Sequence, residues 1–175
     1  MILLCDTRQQ DNKHKQKEKW FSEHGIEVRR TKLYVGDYTL PTDQSVCVDT
    51  KKDIQELCGN ICGSAEEHKR FRAEALRAQE AGIKLIILVE NDPEIVYDRN
   101  GKFIMNQTIT DLKDLHRWTN PRLWIFRSGK QAYPRATKGS TLMKACFSMQ
   151  EKYGCKFIFC SSKDAGEKIV ELLTQ

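Results

Sequence analysis

No stretch of this chain approaches the roughly 20 consecutive apolar residues of a membrane-spanning helix, so no contact with a membrane is expected. There is no Cys-x-x-Cys pair, and the seven cysteines are an odd number scattered through apolar runs. Such a set does not make a disulfide framework; buried free thiols in a reducing compartment are the expectation. Cys58 and Cys62, four apart, could meet on a helix, but the paired spacing typical of zinc or iron–sulfur sites is missing. His14, His24, His68 and His116 lack metal-binding spacing as well. Internal repeats, linkers and low-complexity tails are absent. The opening Met1-Ile2-Leu3-Leu4-Cys5-Asp6 reaches an acid at once and reads as a buried first strand rather than a signal peptide. The 175 residues suffice for one α/β domain over 1–175.

Charge is plentiful but unevenly placed. The net +5 is compatible with a polyanionic partner. Lys13, Lys15, Lys17 and Lys19 share one stretch, Lys69, Arg70, Arg72 and Arg77 another, and residues 128–140 form a basic, loop-like segment. Periodicity predicts strands at 2–6, 26–33 and 84–89, a hairpin of 38–40 with 46–51, and helices at 9–24, 53–62 and 64–81. Ser64 and Glu67 have capping-box spacing. The apolar run 84–89 is expected to be a central strand covered on both faces. Further on, a hairpin around Asn100-Gly101, a short helix at 110–118, a strand at 123–126, a helix at 141–153, a strand at 156–160 and a helix at 163–173 are expected.

The densest chemistry lies in Gly36-Asp37-Tyr38 and Val46-Cys47-Val48-Asp49-Thr50-Lys51. In a strand, Asp49 and Lys51 project to one face, leaving Val46, Val48 and Thr50 for a core. Gly36 allows a sharp turn that aims the Asp37 carboxylate inward. Two carboxylates can hold a hard divalent cation, Mg²⁺ or Mn²⁺. A lysine beside them can position water and stabilise charge on a phosphorus-centred transition state. Asp37, Asp49 and Lys51 are therefore the candidate catalytic residues, with Asp37 and Asp49 as metal ligands, in the pattern of PD-(D/E)xK phosphodiesterases. Asp49→Asn is expected to relieve carboxylate repulsion and leave folding intact or improved. Asp6 at the end of the first strand is a further candidate ligand, or an outer partner, or a cap on the following helix. Arg8 could clamp a phosphate or pair with Asp6 or Asp49. Glu74, four after Arg70, suits a surface ion pair. Lys69, Arg70 and Arg72 are candidate DNA contacts, and Glu90 reads as structural.

The order Asp6-Thr7-Arg8, Gly36-Asp37-Tyr38, Asp49-Thr50-Lys51, Arg70-Phe71 and Leu85-Ile86-Ile87-Leu88-Val89-Glu90 resembles the XPF-type nuclease domain. The similarity is best over residues 2–91 and looser over 141–153, 156–160 and 163–173. The resemblance implies a restriction-endonuclease-like α/β fold, a mixed central sheet flanked by helices. It implies an endonuclease that cuts branched or flapped DNA with Mg²⁺ or Mn²⁺, in repair or recombination. It also implies a homodimer through the C-terminal helices and, for a chain of this size, the cytoplasm of a bacterial or phage-infected cell.

The sequence departs from that family at several positions. The family's ERK stands here as Asp49-Thr50-Lys51, and Gln9 replaces an acid after the first Asp-x-Arg. Gln55 falls where an acid usually follows the lysine, with Asp53 and Glu56 beside it. No helix-hairpin-helix repeat is present. Fewer carboxylates leave open a second reading: a non-catalytic DNA-binding or scaffold domain that retains the fold.

Overall fold

The computed structural model describes residues 1–8, 15–97, 100 and 103–175. Residues 9–14, at the start of the expected first helix, and most of the expected Asn100-Gly101 turn lie outside the described residues. The elements run β1 (Ile2–Asp6), α1 (Lys15–Glu23), β2 (Glu27–Thr31), β3 (Tyr38–Thr39), β4 (Val46–Lys51), α2 (Ile54–Cys62), α3 (Ala65–Glu80) and β5 (Lys84–Glu90). There follow β6 (Glu94–Tyr97), β7 (Phe103–Asn106), 3₁₀ turns Leu112–Arg117 and Pro121–Trp124, β8 (Phe126–Arg127) and β9 (Lys130–Gln131). The chain closes with α4 (Gly139–Tyr153), β10 (Lys156–Cys160), a 3₁₀ turn Ser162–Asp164 and α5 (Ala165–Leu173).

Six strands form a mixed sheet in the order β10-β5-β4-β3-β1-β2. β10, β5 and β4 are mutually parallel, as are β1 and β2; β3 runs antiparallel to both its neighbours. The run 84–89 lies inside the sheet, as its continuous apolarity predicted. Its alternate residues serve two cores. Leu85, Ile87 and Val89 pack toward α2, α3 and α4, whereas Ile86 and Leu88 pack toward α1 and α5. The same alternation in β4 puts Cys47 on the α2–α3 side and Val48 on the other. Asp49 and Lys51 follow Cys47 in parity.

Local chemistry sets the helix boundaries. The Asp53 side chain accepts the Glu56 backbone N–H at 2.6 Å and caps α2. Ser64 and Glu67 form the reciprocal capping box of α3. The expected strand at 123–126 is displaced. Asn120 accepts the Arg122 N–H, Pro121 takes the first helical position, and Leu123 and Trp124 close a 3₁₀ turn instead. Strand begins only at Phe126, where Ser128 (φ 48°) and Gly129 (φ 73°) turn a tight hairpin inside the segment expected to be loop. None of the seven cysteines is in a disulfide, and six of them are buried. Among the described residues no helix is long and apolar enough to cross a membrane.

The C-terminal helices spend most of their apolar residues inwards. Leu142, Met149, Ile169, Leu172 and Leu173 are buried in the protein's own cores, and Phe147 stays exposed.

Candidate active site

One edge of the sheet gathers the acids. β1 ends at Asp6, β4 at Asp49 and Lys51, β5 at Glu90, and Asp37 enters from just before β3. The Asp37 turn depends on Gly36, whose φ is +71° and whose added Cβ would meet Cys47 Cβ at 3.1 Å and Val48 O at 3.2 Å. Any side chain there would be strained and would push the Asp37 loop off β4. The Asp37 N–H donates to Val48 O at 2.8 Å, and the Asp37 carbonyl accepts from Asp6 N at 2.9 Å, tying the loop to β4 and β1.

Asp37 Oδ2 accepts both the backbone N–H and the hydroxyl of Thr50, each at 2.7 Å. Thr50 is buried as expected, yet its hydroxyl serves the site rather than an apolar core. Asp49 is 5% exposed, and its Oδ2 lies 2.7 Å from Lys51 Nζ without accepting a well-directed hydrogen bond from any described residue. Burial pushes its carboxyl up to about 7; Lys51 draws it down, while Asp37 and Glu74 add to the rise. Lys51 Nζ also stands 5.6 Å over the Phe71 ring. Burial works against its charge, but Asp49, then Asp37 and Glu74, hold it above the ordinary lysine range. Lys51 is therefore an ammonium, a donor and a positive charge rather than a base.

Asp6 is placed differently. Oδ1 accepts Arg8 N and Nε, both at 2.7 Å, and Oδ2 accepts Arg8 Nη2 at 2.9 Å and Leu33 N at 2.8 Å. Burial opposes its charge, but these donors hold its carboxyl below the usual range. Its oxygens are fully engaged, and it fixes Arg8 at the rim. Glu90 pairs with the buried Lys17 of α1, in keeping with a structural part.

Arg8, Lys51, Glu56, Arg70, Glu74 and Arg77 line a cleft of about 530 Å³. Of the three basic residues singled out on α3, Arg70 faces it, while Lys69 and Arg72 are exposed and do not line it. Arg77 does. Glu74 is the residue that sequence reasoning missed. Its Oε1 accepts the Gly36 N–H at 2.9 Å, so α3 braces the very turn that presents Asp37. Of the acids near Gln55, Asp53 is spent as a cap and Glu56 is the one that reaches the cleft.

The donor set fits a hard divalent cation of the magnesium type. Asp49 Oδ2 is a buried oxygen short of a directed hydrogen bond. Asp37 is half-buried beside it in charge and is oriented by Thr50. Among the described residues no three acidic, histidine or cysteine side chains converge on one point. Two carboxylates completed by water and phosphate oxygens are what Mg²⁺ accepts.

A family model described as the ERCC4 domain matches residues 5–172. No curated protein sequence matches the chain. Among solved structures, XPF from Aeropyrum pernix is similar, with a TM-score of 0.59 and 16% identity, covering 99% of this chain and 63% of that one. XPF from Aeropyrum pernix in complex with DNA gives a TM-score of 0.57 at 16% identity, covering 98% of this chain and 62% of that one. The chain thus spans under two-thirds of the solved chains it matches, and at such identity the likeness is one of fold.

Proposed function

Because the chain belongs to the ERCC4 domain family, matched over residues 5–172, we propose that it is a DNA endonuclease that uses Mg²⁺ or Mn²⁺ and acts on branched or flapped DNA. The observation that carries this is the buried Asp49 oxygen beside the Lys51 ammonium, with Asp37 held by Thr50, behind a cleft that Lys51 lines together with Arg8 and Arg70.

Asp37 and Asp49 would hold the cation. When bound, it supplies positive charge to the phosphate and acidity to a water. The chain's own residues do the rest. Lys51, kept charged by its acidic neighbours, donates to a non-bridging phosphate oxygen as negative charge builds there. Arg8, steadied by Asp6, and Arg70 grip flanking phosphates and set the strand's register. Thr50 keeps the Asp37 carboxylate from rotating away. The Glu74 bond to Gly36 fixes the loop from the α3 side.

A homodimer through α4 and α5 belongs to this reading on the strength of the resemblance. Phe147 is the large apolar residue those helices leave exposed. Sedimentation at micromolar concentration checks it, and a monomer throughout removes it.

The central test is incubation with labelled flap, fork, junction, duplex and single-stranded DNA in Mg²⁺, Mn²⁺ or EDTA. Cleavage of branched forms in metal and none in EDTA is expected. Lys51→Ala should retain cation binding and lose turnover. A folded wild type that binds DNA but cuts none would instead be a scaffold.

A further inference from the structure

The charge of this protein is concentrated outside the catalytic cleft. Residues 115–150 hold seven Lys and Arg and no Asp or Glu. That stretch alone carries +7, so the rest of the chain carries a net −2. At its centre lies a second cleft of about 400 Å³, on the other side of α2 from the first. Gln55, Cys58 and Cys62 of α2 form one wall; Arg122, Tyr133 and Arg135 stand opposite.

Two features give this cleft a chemistry. Tyr133 is 38% exposed, and the Arg122 guanidinium lies 5.7 Å from its ring centroid. That is a cation-backed aromatic surface on which a flat ring can stack. Gln55, half-buried on the α2 wall, has an Oε1 that accepts no hydrogen bond from a described residue. Outside the cleft, Ile125 and Phe126 of the same 120–137 segment are 40% and 39% exposed.

The segment is built to hold its shape. Asn120 Nδ2 donates to Thr137 O at 2.9 Å, Gln131 Nε2 to Leu123 O at 2.6 Å, and Ala132 N to Ile125 O at 2.7 Å. These bonds pin both ends and the middle of 120–137, so little ordering remains for a ligand to impose.

We propose that this second cleft binds an unpaired nucleotide, stacked on Tyr133 with its phosphates on Arg122 and Arg135, so that a single strand crosses α2 between the cleft and the catalytic site. The two sites share that helix as a wall: Glu56 and Asn60 face the first cleft, Gln55 and Cys58 the second. A helix is about 10–12 Å across with its side chains, a span that a few nucleotides cover. An acidic peptide would satisfy the arginines but not the exposed ring and the orphan acceptor together. A base offers a π-face and an N–H donor at once. The choice of DNA rests on the nuclease reading; the binding itself does not.

The test is fluorescence anisotropy in EDTA, where no cleavage is required. The probes are labelled oligo(dT), which offers a ring and an N–H, and a hairpin duplex of equal length. Tyr133→Ala should weaken oligo(dT) binding by about 5- to 100-fold, whereas Tyr133→Trp keeps it. Arg122→Ala with Arg135→Ala should lower its salt slope by about 1.4. Duplex affinity should change less than twofold in each. Unchanged oligo(dT) affinity in both variants, an equal loss for duplex, or competition by poly-glutamate as effective as by oligo(dT) overturns the proposal. If Tyr133→Ala does not fold, the pair of exposed arginines decides alone. Strand binding in EDTA without cleavage once Mg²⁺ is added supports the cleft and removes only the nuclease reading.

Discussion

Burial of Asp49 beside Lys51 sets the pH at which the site is ready. The folded carboxyl, raised to about 7, keeps a proton that the unfolded chain, with an ordinary carboxyl near about 3.9, has released. The stabilisation this gives is whole below about pH 4 and is lost as pH climbs toward 7. In EDTA the melting temperature of the wild type should therefore fall more between pH 5 and 8 than that of Asp49→Asn. Cation affinity should run the other way, rising with pH through about 7, because the metal competes with that proton. Thermal melts and titration calorimetry read the two, and a flat affinity between pH 6 and 8 would mean that Asp49 is ionised throughout.

The ion pair also alters an expectation. Relief of repulsion suggested that Asp49→Asn would fold as well or better. Yet Lys51 is 8% exposed and Asp49, once ionised above about pH 7, is its nearest counter-ion, so there the substitution strands a buried ammonium. Loss of one partner of a buried pair costs about 3–5 kcal/mol, here softened by Asp37 and Glu74. Combining Asp49→Asn with Lys51→Met should recover most of it. Urea denaturation of the wild type, single and double variants measures this, and no loss in the single variant would leave the repulsion argument standing.

At the scale of elements, α3 shows what periodicity can and cannot say. A helix turns about 100° per residue, which puts Arg70, Glu74 and Arg77 on one stripe and Lys69 and Arg72 away from it. Charge clustering alone grouped Arg70 with Lys69 and Arg72. Glu74 was read as a surface partner of Arg70 although it lies only about 60° from the buried Phe71. That proximity to the core stripe was the available signal. What it touches, the Gly36 N–H, depends on how the helix docks, which no local pattern encodes. Arg70→Ala and Arg77→Ala should each reduce the salt slope of DNA binding by about 0.7–0.9, whereas Arg72→Ala should leave it unchanged. Equal effects at all three positions would point to diffuse attraction rather than a lined cleft.

For the whole molecule, the strands that carry the acids were legible because each follows a strong local rule: an apolar run, an alternation, a glycine turn. The segment 120–137 was not, because its 3₁₀ turn and two-residue strands are held by single side-chain bonds such as those of Asn120 and Gln131. Long-range ion pairing was equally hidden. Lys17 was grouped with Lys13, Lys15 and Lys19 as one basic stretch, but it is 3% exposed and meets Glu90, 73 residues away. Glu90→Ala should destabilise the fold by about 3–5 kcal/mol, as for any buried pair broken on one side. A loss below about 1 kcal/mol in chemical denaturation would show that Lys17 finds water instead.

The two-residue strand β3 has a consequence in time. It is the antiparallel wedge between two parallel blocks, and Asp37 is delivered beside it. It pairs β1 on one side and β4 on the other, so the parallel blocks β1–β2 and β4–β5 meet only through it. Parallel pairs close slowly, since the chain must travel out and back to make them. Glu74 adds a further delay, because it can brace Gly36 only after α3 has settled. A nascent or partly unfolded chain therefore has no assembled centre of Asp37, Asp49 and Lys51.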